Sequence, residues 1–304
     1  MSESPRKLGR RFAATTALAL TLLVAGILLA QWMRGQAAVQ EFLLQYPGVT
    51  PLPENAPVGI PVWLAWNHFF NAFLLVLVVK TALEIRSKKR PPAFWTRNNE
   101  GLIRTKGSPT RMGIYHWLHV SVDALWVLNG LVFIVLLVVT GQWMRVVPTS
   151  WDVFPNAASS LLRYASLDWP TDSAWTNYNS LQVLAYFVTI FVAAPIAIKT
   201  GLRLSPVWPK QGWLFRIFPE AQAKAWHVGV LFYFFAFIIV HVVLVLATGA
   251  RQNLNAMYAA QDSEDSWIGA VFFGITAILM IAAWYLAKPS ILKPIAKLSG
   301  RVQG

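Results

Sequence analysis

This sequence predicts an all-α integral membrane bundle of six transmembrane helices, on three observations. Of its 304 residues, 56% are apolar and only 13% are charged, whereas soluble domains carry roughly 25% charged residues. Long runs without charge recur along the chain, each exceeding the roughly 20 residues that a helix needs to cross a bilayer. Lys and Arg (26) outnumber Asp and Glu (13), and they gather in alternate connections between the runs.

The runs set the elements in order. No charge lies between Arg11 and Arg34, or between Glu54 and Lys80. Only Asp123 interrupts Arg111 to Arg145. Asp172 to Lys199, Lys224 to Arg251 and Asp265 to Lys288 are again free of charge. Helices are expected near 12–34, 62–85, 113–143, 179–200, 223–249 and 266–287. In lipid the backbone must bond within its own segment, so these runs are helices rather than loops. The first helix with its outer loop (1–61) and the last helix with its tail (258–304) flank residues 62–257, which hold the other four expected helices. No soluble domain is expected.

The first run has two readings. Arg10, Arg11 and Phe12 before an apolar stretch suit a secretory or twin-arginine signal peptide. The stretch is about 22 residues, longer than the usual 7–15 of a signal h-region, which favours a retained helix.

Charge then orients the helices. Arg6, Lys7, Arg10 and Arg11 begin the chain, and Arg86, Lys88, Lys89, Arg90, Arg97, Arg104, Lys106 and Arg111 share one connection. The 199–224 connection and the tail hold most of the rest. The other side has Arg34, Arg145, Arg163 and Arg251, with Glu41, Glu54, Asp152, Asp168, Asp172, Asp262, Glu264 and Asp265. Basic connections stay cytoplasmic, so both termini are expected in the cytoplasm of a prokaryotic cell. The net charge of +13 thus reads as a topology label, and no nucleic-acid partner is expected.

Thr140-Gly141, Thr200-Gly201 and Thr248-Gly249 each close an apolar run, as glycine caps do. Trp32, Trp63, Trp66, Trp143, Trp213, Trp226 and Trp267 suit an interfacial aromatic belt. Pro195 is expected to kink the fourth span. The connections 35–61 and 144–178 are long, and Trp151, Phe154, Trp169, Pro170 and Trp175 are candidate docking anchors.

There is no Cys, which excludes disulfides, thiolate metal sites and Cys-attached haem in this chain. Five His remain: His68, His116, His119, His227 and His241. Ionisable groups inside a membrane are costly and mark functional paths. His227 and His241 lie 14 residues apart on one helix, within about 40° of the same face and about 21 Å apart along the axis. His119 precedes Gly141 by 22 residues, and His227 precedes Gly249 by 22. His68 follows Pro61 by seven, and His241 precedes Gly249 by eight. Depth therefore pairs His119 with His227 on the cytoplasmic side, and His68 with His241 on the outer side. Two stacked haems, each held by two imidazoles, need this arrangement. His116 competes with His119 as ligand or serves a haem propionate. Asp123, four residues after His119, is either a proton relay and hydrogen-bond partner or the counter-charge of Lys80. Arg111 and Arg145 are candidate propionate contacts.

His116-Trp117-Leu118-His119, Asn129-Gly130, Thr140-Gly141-Gln142-Trp143 and Arg145 resemble the second haem helix of the prokaryotic dihaem b-type cytochromes. Asn67-His68-Phe69-Phe70 resembles the first. Asn179 to Gln182, Ala185-Tyr186, Ala194-Pro195, Thr200-Gly201 and Ser205-Pro206 resemble the third, and His227 with His241 to Gly249 the fourth. That family comprises membrane cytochromes of formate dehydrogenase, nickel–iron hydrogenase, thiosulfate reductase and molybdopterin oxidoreductase systems. The resemblance covers roughly 62–257. It implies a four-helix dihaem cytochrome b core, two haems b with His68, His119, His227 and His241 as ligands, quinone as an exchangeable substrate, and an outer-face oxidoreductase partner of molybdopterin type. Asp123 departs from the apolar residue expected there.

The expected function is an electron conduit between the quinone pool and that partner, with substrate chemistry left to the partner. A self-contained transmembrane reductase and a proton-coupled transporter with relay histidines are the rival classes.

Overall fold

The computed structural model describes residues 5–87, 90–99, 109–169, 174–206, 208–209 and 212–304. Lys88, Lys89, Arg104, Lys106, Pro170 and Asp172 lie outside the described residues, as do the side chains of Arg6 and Lys7.

The chain is a mostly helical membrane protein. In order it forms α1 (Pro5–Arg34), α2 (Ala37–Gln45), α3 (Val62–Arg86), β1 (Phe94–Arg97), β2 (Arg111–Gly113), α4 (Ile114–Val139), α5 (Val153–Ala165), α6 (Ser180–Val188), α7 (Ala194–Leu204), α8 (Trp213–Ile217), α9 (Glu220–Ala247), α10 (Ala250–Ala259), α11 (Ile268–Leu286), α12 (Pro289–Lys297) and β3 (Gly300–Gln303). Among the described residues six helices are long and apolar enough to cross a membrane: Gly9–Arg34, Val62–Arg86, Ile114–Val139, Ser180–Leu204, Glu220–Ala247 and Ile268–Leu286. They expose large apolar side chains, among them Leu22, Leu128, Val135, Val243 and Ile278. An outward apolar surface on every span is what a lipid solvent stabilises and water does not.

The ends of these helices have local causes. Gly249 takes φ +114 and stops α9, and Gly141 takes φ +75 beyond α4, a left-handed turn that glycine adopts without steric cost. Thr200-Gly201 differs from expectation, because the helix continues to Leu204. Thr200 survives inside it by bonding back to the Ile196 carbonyl at 2.7 Å. Pro195 cannot donate to the turn before it, and a π-helical turn at Thr189–Ala193 takes up the mismatch.

Two compact units divide the chain. The first comprises Met1–Ala56 and Met144–Phe187. Here the connections expected as long loops are folded. Gly48 is the hub, at φ +102. Its N–H donates to Asn156 Oδ1 at 2.9 Å, and its carbonyl accepts from Ser160 Oγ at 2.8 Å and from the Ser180 N–H at 2.9 Å. Arg34 pairs with Asp168 and donates to Ser166, tying the end of α1 to the end of α5.

The second unit comprises Pro57–Trp143 and Val188–Gly304. It contains all five histidines. A three-stranded antiparallel sheet in the order β2-β1-β3 joins the α3–α4 connection to the C-terminal tail. Phe94 faces Gly113 on one side and Gln303 on the other. Trp95 inserts beside Ile114, Leu292 and Ala296 and donates to the Ala296 carbonyl at 3.1 Å. Gly300 makes this possible, since a Cβ there would lie 2.4 Å from Trp95 Nε1. Basic composition alone had read both segments as loop and tail.

Candidate functional site

Helices α3, α4 and α9 bring four of the histidines together as two pairs. The His68 and His241 ring centroids are 6.4 Å apart, and so are those of His119 and His227. Fourteen residues of α9 separate the pairs by about 21 Å along the helix. His68 and His241 thus sit at the end of α9 near Gly249, while His119 and His227 sit toward its start.

The polar clamps beside each pair explain why these helices meet in this register. Asn67 donates through Nδ2 to the Asn129 carbonyl at 3.1 Å and to its side-chain oxygen at 3.0 Å. This locks α3 to α4 one residue before His68. Trp126 Nε1 donates to Asn71 Oδ1 at 2.6 Å, one helical turn further along. Inside a membrane such bonds are among the directional forces between helices, because apolar packing alone barely distinguishes neighbour from lipid.

Two threonines fix the His119–His227 pair. Thr81, from α3, lies 2.8 Å from His119 Nδ1. Thr200, from α7, lies 2.9 Å from His227 Nδ1. Each hydroxyl already gives its proton to its own helix, Thr81 to the Leu77 carbonyl at 2.8 Å and Thr200 to the Ile196 carbonyl at 2.7 Å. Each is then placed to accept from its imidazole, an arrangement that would put the ring proton on Nδ1 and leave the Nε2 lone pair free. Gly201 completes the seat: a Cβ there would meet His227 Cε1 at 3.5 Å. Reading the sequence missed both threonines. The signal was present as a repeated Lys-Thr pair, Lys80-Thr81 and Lys199-Thr200, near the same end of two spans.

The His68–His241 pair is built differently. His241 stacks on Phe237, with centroids 5.5 Å apart and planes within 7°. Tyr258 meets His68 edge-on at 5.5 Å. The buried Nδ1 of His68 has no hydrogen-bond partner among the described residues. Tyr258 lies beyond the spans, and burial pushes its phenol up to about 12.

The remaining sequence-predicted residues are placed as follows. His116 is half-buried, one turn before His119, and the ring that faces His227 is that of His119. Asp123 Oδ2 lies 3.6 Å from His119 Nε2. Lys80 pairs instead with Glu84 and lies over the Tyr115 and Trp284 rings, so it is not the counter-charge of Asp123. Arg111 stacks over Phe94 at 4.0 Å. Arg145, 1% exposed and in the first unit, donates to the Ala174 carbonyl at 2.6 Å and covers the Tyr178 ring at 4.9 Å. Burial pushes the Tyr178 phenol up, against the pull of that guanidinium.

The residues fit a bis-imidazole macrocycle by distance. Two metal–nitrogen bonds of about 2 Å and two nitrogen-to-centroid spans of about 1.1 Å would put the centroids of two imidazoles facing each other across one metal ion about 6.2 Å apart. Both pairs stand within about 0.2 Å of that. Among the described residues no group of three or more His, Cys, Asp or Glu side chains could hold a metal ion. A haem needs only two axial side chains, so the criterion for an all-protein metal cage does not bear on it.

An apolar groove of about 440 Å³ runs between the π-turn region and α9, lined by Val188, Val192, Ile196, Trp226, Val230 and Tyr233. Tyr233 shares a hydrogen bond with Thr189 at 2.7 Å.

Comparison with protein-family models, with curated proteins and with solved structures gives no match to this chain.

Proposed function

We propose that this protein is a membrane cytochrome b subunit, carrying electrons through two b-type haems between the quinone pool and an oxidoreductase at the outer face. The observation that carries this reading is the double one: two separate histidine pairs, each with ring centroids 6.4 Å apart, a separation that would let both imidazoles of a pair bind one iron. A relay of protonatable histidines has no reason to repeat that spacing twice.

His68 with His241, and His119 with His227, would each hold one haem through their imidazole nitrogens. Such a group would supply a one-electron centre, and two imidazoles on one iron favour electron transfer over oxygen chemistry. Nδ1–H donation to Thr81 and Thr200 orients two of the ligands and leaves their Nε2 atoms to bind iron. Phe237 holds the plane of His241. Arg111 and His116, at one end of α4, are assigned to a haem propionate. The groove beside Tyr233 suits the isoprenoid tail of a quinone, within the usual range of roughly 300–1,000 Å³ for ligand pockets. Trp151 and Phe154, exposed and stacked at 5.7 Å, suit a partner protein. The resemblance in sequence favours a molybdopterin enzyme there, with both termini of this chain in the cytoplasm.

The test is a visible spectrum of the purified protein before and after dithionite, with haem counted against protein. A b-type α-band and two haems per chain are expected. A colourless protein from haem-replete cells would overturn the reading and leave the transporter class. Full quinone-linked turnover without any second protein would favour the self-contained reductase instead.

A further inference from the structure

The two histidine pairs differ in what stands behind the ligands. At one pair, Nδ1 of both rings meets a threonine hydroxyl that also bonds back to its own helix, and both threonines are almost wholly buried, at 0% and 1% exposure. At the other, Nδ1 of His68 is buried without a partner among the described residues. The difference is built from two helices. Thr81 comes from the same helix as His68, 13 residues later, so α3 supplies a ligand to one site and a support to the other. Thr200 comes from the fourth span, Ser180–Leu204, which carries no histidine of its own.

An acceptor on the far nitrogen makes an imidazole more basic and a better donor to the metal. A stronger donor favours the oxidised iron, and second-shell hydrogen bonding is one of the levers that set a haem's potential. We propose that Thr81 and Thr200 are positioning residues that hold His119 and His227 in one tautomer and lower the midpoint potential of that site. The proposal rests on the haem reading above. Asp123, 3.6 Å from His119 Nε2, adds negative charge at the same site. It acts in the same direction, and threonine substitutions leave it in place.

The design of the threonines makes the test clean. Thr→Val keeps the shape of the side chain and removes only the hydroxyl. The Leu77 and Ile196 carbonyls lose their side-chain donors, but as carbonyls inside α-helices they retain the backbone ladder. The loss therefore falls on the histidine N–H. The Val78 carbonyl near His119 and the Ala197 carbonyl near His227 offer partial replacement, so the double variant is the decisive one.

The experiment is a spectroelectrochemical titration of the full-length protein in His241→Ala, where the His119–His227 haem alone is expected to remain. Thr81→Val with Thr200→Val should raise its midpoint by an amount that changes the oxidised-to-reduced ratio about tenfold at fixed potential, or about 59 mV for one electron. Each single variant should move it less. Thr81→Ser with Thr200→Ser keeps both acceptors and should restore the original value. Loss of this haem in the valine double variant with retention in the serine one would support the same role. A folded valine double variant with its haem and an unmoved potential would overturn the proposal while the haem reading stands. Serine variants that behave like valine would also overturn it, since packing would then be the cause. Wild-type protein without any haem would overturn both.

Discussion

Substituting one ligand of α9 at a time should remove one haem at a time. His227 and His241 are 14 residues apart, about 21 Å along the helix. Couplings between substitutions fade beyond roughly 7–10 Å, so the two sites should respond independently. His241→Ala leaves the His119–His227 pair with its 6.4 Å ring separation and both threonine supports intact. On the proposed reading the haem content should fall from two per chain to one, and the reduced α-band by about half, because each site would carry one iron held by two imidazoles. His227→Ala should give the same loss from the other site, with a remaining haem of different midpoint potential. The assay is haem extraction and protein quantitation on a monodisperse sample, followed by a redox titration. Free imidazole should restore part of the lost haem, because the substitution opens a space of that shape opposite an intact ligand. The reasoning is refuted if either variant, still folded, retains both haems, or if each variant loses both.

Two further outcomes concern residues of α10. Asn255 is fully buried; it donates to the Ser263 and Ser266 carbonyls at 2.8 and 2.6 Å and accepts from the Gly269 N–H at 2.8 Å. Asn255→Ala strands those groups, so thermal unfolding in detergent should show a loss of roughly 2–4 kcal/mol, and a change below about 0.5 kcal/mol would contradict the accounting. Tyr258 should give the protein an alkaline limit: its folded-state value is about 12 against an ordinary 10.0. The folded state thus favours the neutral phenol, a contribution present in full below pH 10 and lost as pH rises toward 12. Melting temperatures measured across that window should fall more steeply for wild type than for Tyr258→Phe, which keeps the ring against His68; parallel profiles would refute the assignment.

Much of the architecture was legible before any coordinates. A hydrocarbon solvent forbids unpaired backbone and penalises charge, so spans appear in sequence as long charge-free runs. The six helices fall within a few residues of those runs. Histidine pairing was also legible as an expectation, because residue counts from Gly141 and Gly249 convert to depth along rigid helices. The structure brings the same residues together: His68 to His241, and His119 to His227.

What escaped the sequence depends on contacts between distant segments. The helix end expected at Thr200-Gly201 is absent: the helix runs on to Leu204, and Thr200 bonds back to the Ile196 carbonyl within it. The basic α3–α4 connection and the tail form a sheet, which needs Gly300 to let Trp95 through. The outer connections fold around Gly48, whose partners lie more than one hundred residues away.

The sequence by itself therefore determined the solvent of this protein, the number of its spans and the depth of its histidines, since each is a property of composition and helical rise. Only the tertiary structure decided that threonine hydroxyls stand behind Nδ1 of His119 and of His227, that Asp123 faces His119 rather than Lys80, and that the two histidine pairs are supported unequally. Those depend on side chains from different helices meeting at hydrogen-bond distance. Rise per residue fixes where a side chain sits along its own helix, and it leaves open which neighbour that side chain will face.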